Sequence, residues 1–321
     1  MLLKACIALA AGVIAAVSLP LGAQQYPAKP VRIIVPFAPG GGSDFTGRLV
    51  AGKLSERLGA QFLVENRPGA GGNLGAETVV KAPADGYTLL LSSASYTVNP
   101  SVYKLSFDPV NDITPIIQIS GGPYVVAVHP SVPANTLAEF VAYAKKQPDK
   151  LAYGSSGSGS IMHVASEYFL DAAKIKVLHV PYKGTGPALQ DTIGGQVQLI
   201  FGAVPATLPQ VRAGRLRALA VTTDKRIAAA PELPTVAESG YPGYEVTNWH
   251  GLVGPKGLPK EVVEKLNREI GELVKGEDMK KNLANDGLEP AGGSPARFAE
   301  ILKNETARWA KVVQQAGIKV E

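Results

Sequence analysis

Four glycine-rich segments carry the chemistry that this sequence offers. They are Pro36-Phe37-Ala38-Pro39-Gly40-Gly41-Gly42-Ser43-Asp44, Arg67-Pro68-Gly69-Ala70-Gly71-Gly72-Asn73, Tyr153-Gly154-Ser155-Ser156-Gly157-Ser158-Gly159-Ser160 and Val180-Pro181-Tyr182-Lys183-Gly184-Thr185-Gly186. Each follows an apolar run of strand character and precedes a segment of helical spacing. In an open α/β sheet, loops at the strand C-termini line the crevice at a topological switch point, so several of these are expected to converge. Glycine lets backbone N–H groups approach a ligand closely. The N-terminus of each following helix adds unpaired donors and a partial positive charge, which makes an anion site without arginine. A hydrogen bond to a charged group contributes about 1.5–3 kcal/mol, and a micromolar affinity is about 8 kcal/mol, so several such bonds with modest apolar contact suffice after entropy losses. The implied ligand is small and anionic. The competing reading is that the glycines only make tight strand-to-helix turns. Ser43, Ser158, Ser160 and Thr185 are hydroxyls at or near helix starts and equally ordinary caps. Asp44 in a first turn equally suits the helix dipole, and Lys183 either meets the anion or is solvated.

Catalytic motifs mostly fail. Gly-x-Gly-x-x-Gly is never completed, because Leu74 and Met162 occupy the sixth position after Gly69 and Gly157. No Gly-x-Ser-x-Gly nucleophile elbow occurs. Ser101-Val102-Tyr103-Lys104 matches Ser-x-x-Lys without its companion Ser-Asp-Asn and Lys-Thr-Gly motifs. His129, His163, His179 and His250 are far apart with no paired ligand spacing, which argues against a metal site. His163, after the Ser/Gly loop, either faces the ligand or is a capped structural imidazole. A hydrolase using Ser158 or Ser160 with His163 lacks an identifiable orienting carboxylate. No enzyme and no cofactor is therefore expected.

The elements that position these loops read as alternating strand and helix. Strands are expected at 31–37, 62–64 and 88–91, with helices at 45–58 and 74–81 between them. After a turn-rich stretch from Asn99 to Pro115, strands are expected at 124–128, 151–153, 177–180, 198–201 and 218–221, with helices at 136–146, 161–172, 187–193 and 207–213. Two βαβ sets predict two α/β lobes with mostly parallel sheets. The tail is more helical: Pro259 starts a helix to about Val274, and Ser294-Pro295 caps a long one whose apolar face is Phe298, Ile301, Leu302, Trp309, Val312 and Val313.

Composition sets the remaining bounds. The chain has 321 residues, 45% of them hydrophobic and 18% charged, enough for two domains. The net charge of +5 is dispersed, no basic run exceeding two residues, as at Lys145-Lys146 and Lys280-Lys281, so nucleic acid is not an expected partner. Residues 1–23 read as a signal peptide cleaved near Ala23, the alternative being an uncleaved anchor: Lys4, an uncharged apolar stretch from Ala5 to Leu19, then small residues ending at Ala23. Cys6, the single cysteine, falls inside it. A soluble protein outside the cytoplasm, in a periplasm, is expected.

The motifs also carry a resemblance. Tyr26-Pro27-Ala28-Lys29-Pro30-Val31-Arg32, PFAPGGGSD (36–44), VENRPGAGGNLGAE (64–77) and DGYTLLLSS (85–93) closely resemble the tripartite tricarboxylate transporter substrate-binding receptors, also called Bug receptors. YGSSGSGSIMH (153–163), VPYKGTGPALQD (180–191), GQVQLIF (195–201) and AGRLRALAVT (213–222) extend the resemblance over essentially the whole mature chain. It implies a monomeric, two-lobed periplasmic binding protein that closes on its ligand like a flytrap. Lobe 1 would be discontinuous, residues 25–122 plus 245–321, and lobe 2 would be residues 123–244, joined by crossing strands. The implied ligand is an organic carboxylate held largely by backbone groups and ordered water. Carried onto this chain, Phe37, Gly41, Gly42, Ser43 and Asp44, with Ser93 and Ser95, would form one wall. Ser156, Gly157, Ser158, Gly159, Ser160 and His163 would face them, together with Tyr182, Lys183 and Gly184. Gly202-Ala203 carries no acidic residue, which weakens the case for an α-amino acid, and Phe37 and Tyr182 would flank the ligand body. The implied partner is an inner-membrane permease of the tripartite type; docking of the loaded form on a membrane sensor histidine kinase is a compatible second role.

Overall fold

The computed structural model describes residues 26–285 and 287–318. The expected signal peptide lies outside the described residues. Among those described, no helix is long and apolar enough to cross a membrane.

The chain begins as predicted, with strands and helices in alternation. β1 (Val31–Val35), α1 (Gly42–Leu58), β2 (Phe62–Asn66), α2 (Asn73–Val80), β3 (Thr88–Ser93) and the short α3 (Ala94–Val98) build the first half-sheet. Its parallel order is β2-β1-β3, with Val31 opposite Phe62 and Arg32 opposite Thr88. β1 reads VRIIV and only Arg32 is exposed, as expected of a central strand covered on both faces. Alternate side chains divide between two cores. Ile33, Val35, Leu89 and Leu91 pack on one face, and Ile34 and Leu90 on the other, the period of two that a pleated strand imposes.

β4 (Ile113–Val128) then leaves this sheet for a second one. Around it come α4 (Leu137–Lys146), β5 (Ala152–Ser155), α5 (Ile161–Ala173), β6 (Leu178–Pro181), α6 (Thr185–Ile193), β7 (Leu199–Ala203), α7 (Val204–Arg212) and β8 (Arg217–Val221). β9 (Thr247–Pro255) returns to the first sheet, followed by α8 (Lys260–Lys275), α9 (Glu277–Asn285), β10 (Glu289–Pro290) and α10 (Pro295–Gln315). Residues 113–123 of β4 pair with β9, whereas Tyr124–Val128 pair with β7 and β8. At the passage, Tyr124 N–H donates to Thr222 Oγ1 at 2.8 Å, Thr222 N–H to the Tyr124 carbonyl at 3.0 Å, and Val246 N–H to the Thr222 carbonyl at 2.8 Å. Two lobes are thus stitched by two neighbouring stretches of chain.

The parallel pairing expected from the βαβ rhythm belongs to β2-β1-β3 and to β6-β5-β7. β4, which passes between the two sheets, and β9, which leads back from the second to the first, pair antiparallel, so each sheet is mixed. The turn-rich stretch predicted to Pro115 ends instead before Ile113, because Pro115 sits within β4 at a register shift, where a strand tolerates the missing N–H. β9 carries no clean alternation in sequence. Its Gly251 lies against the Phe298 ring, where a Cβ would come within 2.2 Å, so the glycine permits close packing of α10 rather than breaking the strand. α10 buries Phe298, Leu302, Trp309 and Val313, with Ile301 and Val312 half-buried beside them. The Ser294 hydroxyl accepts the Arg297 N–H at 3.2 Å, the expected cap.

Candidate functional site

The C-terminal ends of β1 and β3 face those of β5 and β7 across the gap between lobes. Lobe 1 supplies Phe37, Gly41, Gly42, Ser43 and Asp44 from the first glycine-rich loop, and Ser93 and Ser95 from the end of β3 and the start of α3. Ser156, Thr185 and Ala203 face them, and Tyr124 and Asn248 come from the crossing strands. The cavity is narrow, with a volume of about 330 Å³. Lobe contacts account for this tightness. Ala38 N–H donates to the Lys183 carbonyl at 2.8 Å, Tyr103 OH to the Ser158 carbonyl at 2.7 Å, and Ile161 N–H to Ser95 Oγ at 3.0 Å.

The main electrostatic feature is the start of α1. Its N-cap, Gly41, offers no side chain to its N–H groups, and Gly41 and Gly42 are buried. A helix end carries unpaired donors equivalent to roughly half a positive charge, and burying them without a partner is costly unless something accepts from them. α6 begins the same way at Gly184, on the other lobe, with no side-chain cap. No lysine or arginine lines the cavity among the described residues. Donors here are main-chain amides and hydroxyls.

Asp44, the one carboxylate lining it among the described residues, is turned to its own loop. It accepts from Gly40 N–H at 3.1 Å, from Arg48 Nε and Nη2 at 3.0 Å, and from Asn66 Nδ2 at 3.0 Å. Burial works to raise its pKa, but the bonds from Arg48, Asn66 and Gly40 outweigh burial and hold the carboxyl below its ordinary value. Asn66 Nδ2 also donates to the Phe37 carbonyl at 2.9 Å. The loop that presents Gly41 and Gly42 is therefore fixed from behind by a neutralised carboxylate.

The remaining expected site residues lie away from the cavity wall. Gly157, Ser158 and Gly159 form the seam between lobes: a Cβ on Gly71 would come within 2.7 Å of the Ser158 carbonyl, and one on Gly157 within 3.6 Å of Gly71 N. The second glycine-rich segment thus meets the third directly. Ser160 caps α5 by accepting the His163 N–H at 3.3 Å. The His163 ring turns into lobe 2, where Nδ1 accepts from Gly159 N–H at 3.1 Å and the ring stacks on His179 with centroids 4.1 Å apart. Burial pushes its pKa down to about 4, and that of His179 to about 3. Tyr182 OH donates to Asp191 Oδ2 at 2.6 Å, the Lys183 side chain is exposed, and buried Gly184 packs against Ala38, where a Cβ would lie 2.9 Å from the backbone nitrogen.

Sequence reasoning missed Tyr124 and Asn248 as wall residues, and it missed the role of His250. This imidazole is fully buried behind α1. Nε2 lies 3.2 Å from Ser43 Oγ and 3.4 Å from Asn248 Nδ2, and Nδ1 lies 3.3 Å from both Thr46 Oγ1 and Ser120 Oγ. It ties both crossing strands to the first turns of α1. Burial holds its pKa down at about 4, so the ring is neutral. The only sequence signal was a histidine within an apolar stretch.

Two α/β lobes joined by paired crossing strands, with uncapped helix starts facing each other in the gap, define the periplasmic binding protein fold. The family comparison places it more closely: the profile of the tripartite tricarboxylate transporter family receptor matches residues 46–318, and the chain belongs to that family. Protein BugT of Bordetella pertussis is 35% identical over 314 residues, 96% of this chain and 95% of BugT. The solved structure of R. palustris Rpa4515 with adipate superposes with a TM-score of 0.89 at 39% identity, over 92% of this chain and 99% of that one. MatC from Rhodopseudomonas palustris with bound malate gives a TM-score of 0.85 at 31% identity, over 90% of this chain and all of that one.

Proposed function

We propose that this protein captures a small organic carboxylate outside the inner membrane and delivers it, lobes closed, to a permease of the tripartite tricarboxylate type. The observation that carries this reading is the buried, uncapped N-terminus of α1 in a cavity that, among the described residues, no lysine or arginine lines. Backbone amides at a helix start favour an anion, and a carboxylate can accept from two of them at once. Relatives solved with adipate and with malate support the same ligand class. The chain reaches the periplasm through a signal peptide cleaved near Ala23 and acts as a monomer without a cofactor. Lobe 1 comprises residues 25–122 and 245–321, and lobe 2 residues 123–244, the Gly121-Gly122-Pro123 stretch of β4 serving as part of the hinge. Capture requires only that the ligand bind the closed form more tightly than the open one, so no bond is made or broken.

The test is a calorimetric and thermal-shift screen of the mature protein against dicarboxylates, tricarboxylates, aromatic acids and acidic amino acids, with neutral analogues as controls. Saturable binding of one or more carboxylates, absent for the matching amides, is the expected result. Uniformly null titrations would refute it.

A further inference from the structure

Asn248 lines the cavity and is 5% exposed, yet its Oδ1 is buried and has no hydrogen-bond partner among the described residues. The other end of the amide is fixed. Nδ2 can only donate, so His250 Nε2 must accept from it, and the His250 proton then sits on Nδ1, facing Thr46 Oγ1 and Ser120 Oγ. The opposite tautomer would set N–H against N–H. His250 is thereby a positioning residue that holds the Asn248 carbonyl away from the imidazole, on a side chain that lines the gap. A buried acceptor left empty is costly, so this position calls for a donor on whatever fills the site.

Its placement says which donor. Ser43, in the first turn of α1, shares His250 Nε2 with Asn248, and a Cβ on Gly42 would lie 3.8 Å from the same imidazole. A carboxylate seated on the α1 amides therefore brings its α-carbon, and a substituent on it, towards Asn248. A neutral hydroxyl suits a neutral amide carbonyl. An ammonium would also need a counter-charge, and the one carboxylate on the wall, Asp44, is already engaged by Arg48 and Asn66. Resting on the carboxylate-capture reading above, we infer that the site selects 2-hydroxycarboxylates, with Asn248 Oδ1 accepting the 2-hydroxyl and setting specificity.

The experiment compares matched ligands on the mature wild-type protein by calorimetry: malate with succinate, 2-hydroxyglutarate with glutarate, each hydroxy acid as separate enantiomers, and aspartate with malate. A hydroxy acid that binds roughly tenfold or more tightly than its deoxy partner is expected, and more tightly than its amino counterpart. In Asn248→Leu the preference should fall to about onefold through weaker hydroxy-acid binding, while affinity for the deoxy acid stays within about threefold; that retained binding also shows the variant folded. Equal or tighter binding of the deoxy or amino acid, or a preference that survives in Asn248→Leu, overturns the inference while leaving carboxylate capture standing. Failure of every carboxylate to bind overturns both.

Discussion

Ser95 Oγ accepts the Ile161 N–H at 3.0 Å, so a hydroxyl of lobe 1 caps the first residue of a lobe 2 helix. Ser160, the N-cap of that helix, serves His163 N–H instead, leaving Ile161 to its partner across the gap. The bond exists only when the lobes meet, and it therefore contributes to the closed form alone. Net contributions of neutral hydrogen bonds are about 0.5–1.5 kcal/mol, so Ser95→Ala is expected to weaken carboxylate binding roughly two- to tenfold. Titration calorimetry checks this; an unchanged dissociation constant would remove Ser95 from closure.

Gly41 offers a sharper block. Its φ of −103° is open to any residue, but a Cβ there would lie 3.1 Å from Thr185 Cβ on the facing lobe, and the methyls of valine would reach further. Gly41→Val should therefore lower carboxylate affinity by about a hundredfold or more while leaving the melting temperature within a few degrees of wild type. Gly157→Val is a poorer probe because Gly157 has φ +129°, so strain is added to obstruction and the melting temperature should fall.

Acid should destabilise the fold over a defined range. His163, His179 and His250 have folded pKa values of about 4, 3 and 4 against an unperturbed value near 6.5, each lowered chiefly by burial. The unfolded chain then binds more protons than the folded one below about pH 6.5, so stability is full above that pH and falls as pH drops towards 4. The slope is ~1.4 kcal/mol per pH unit for a fully buried imidazole such as His250. Thermal melts from pH 7.5 to 4 should show a falling transition temperature beginning near pH 6.5. A flat profile over that range would contradict neutral burial of these rings.

Gly251→Ala tests the packing of α10 on β9. The added methyl would come within 2.2 Å of the Phe298 ring, itself buried and in edge contact with Trp249. Overpacking of this kind costs about 1–3 kcal/mol. A lowered melting temperature is expected, with recovery on pairing Gly251→Ala with Phe298→Leu.

The fold was largely legible because its half-sheets are local. Runs such as Val31–Val35 and Ala152–Ser155, each followed by a glycine-rich turn and a helix, declare themselves within a short window. β9 did not, since no clean alternation marks it and its Gly251 and Gly254 make room for Phe298 and Leu258. The first wall of the site was legible for the same reason: Phe37 to Asp44 is one loop at one strand end. The opposite wall was not, because the third and fourth loops divide their residues between cleft and seam. Ser156 and Thr185 line the gap, whereas Ser158 and Lys183 lend carbonyls to the contact between lobes. Asn248 and His250 depend on a strand that returns after more than a hundred residues, and no local pattern marks such a residue as a neighbour of Ser43.

The most direct measurement is a crystal structure of the mature protein with a bound carboxylate. Its carboxylate oxygens are expected within about 3 Å of main-chain N–H groups in the first turn of α1, between the lobes. A carboxylate held by an arginine side chain elsewhere, with the α1 amides bonded only to water, would contradict the account.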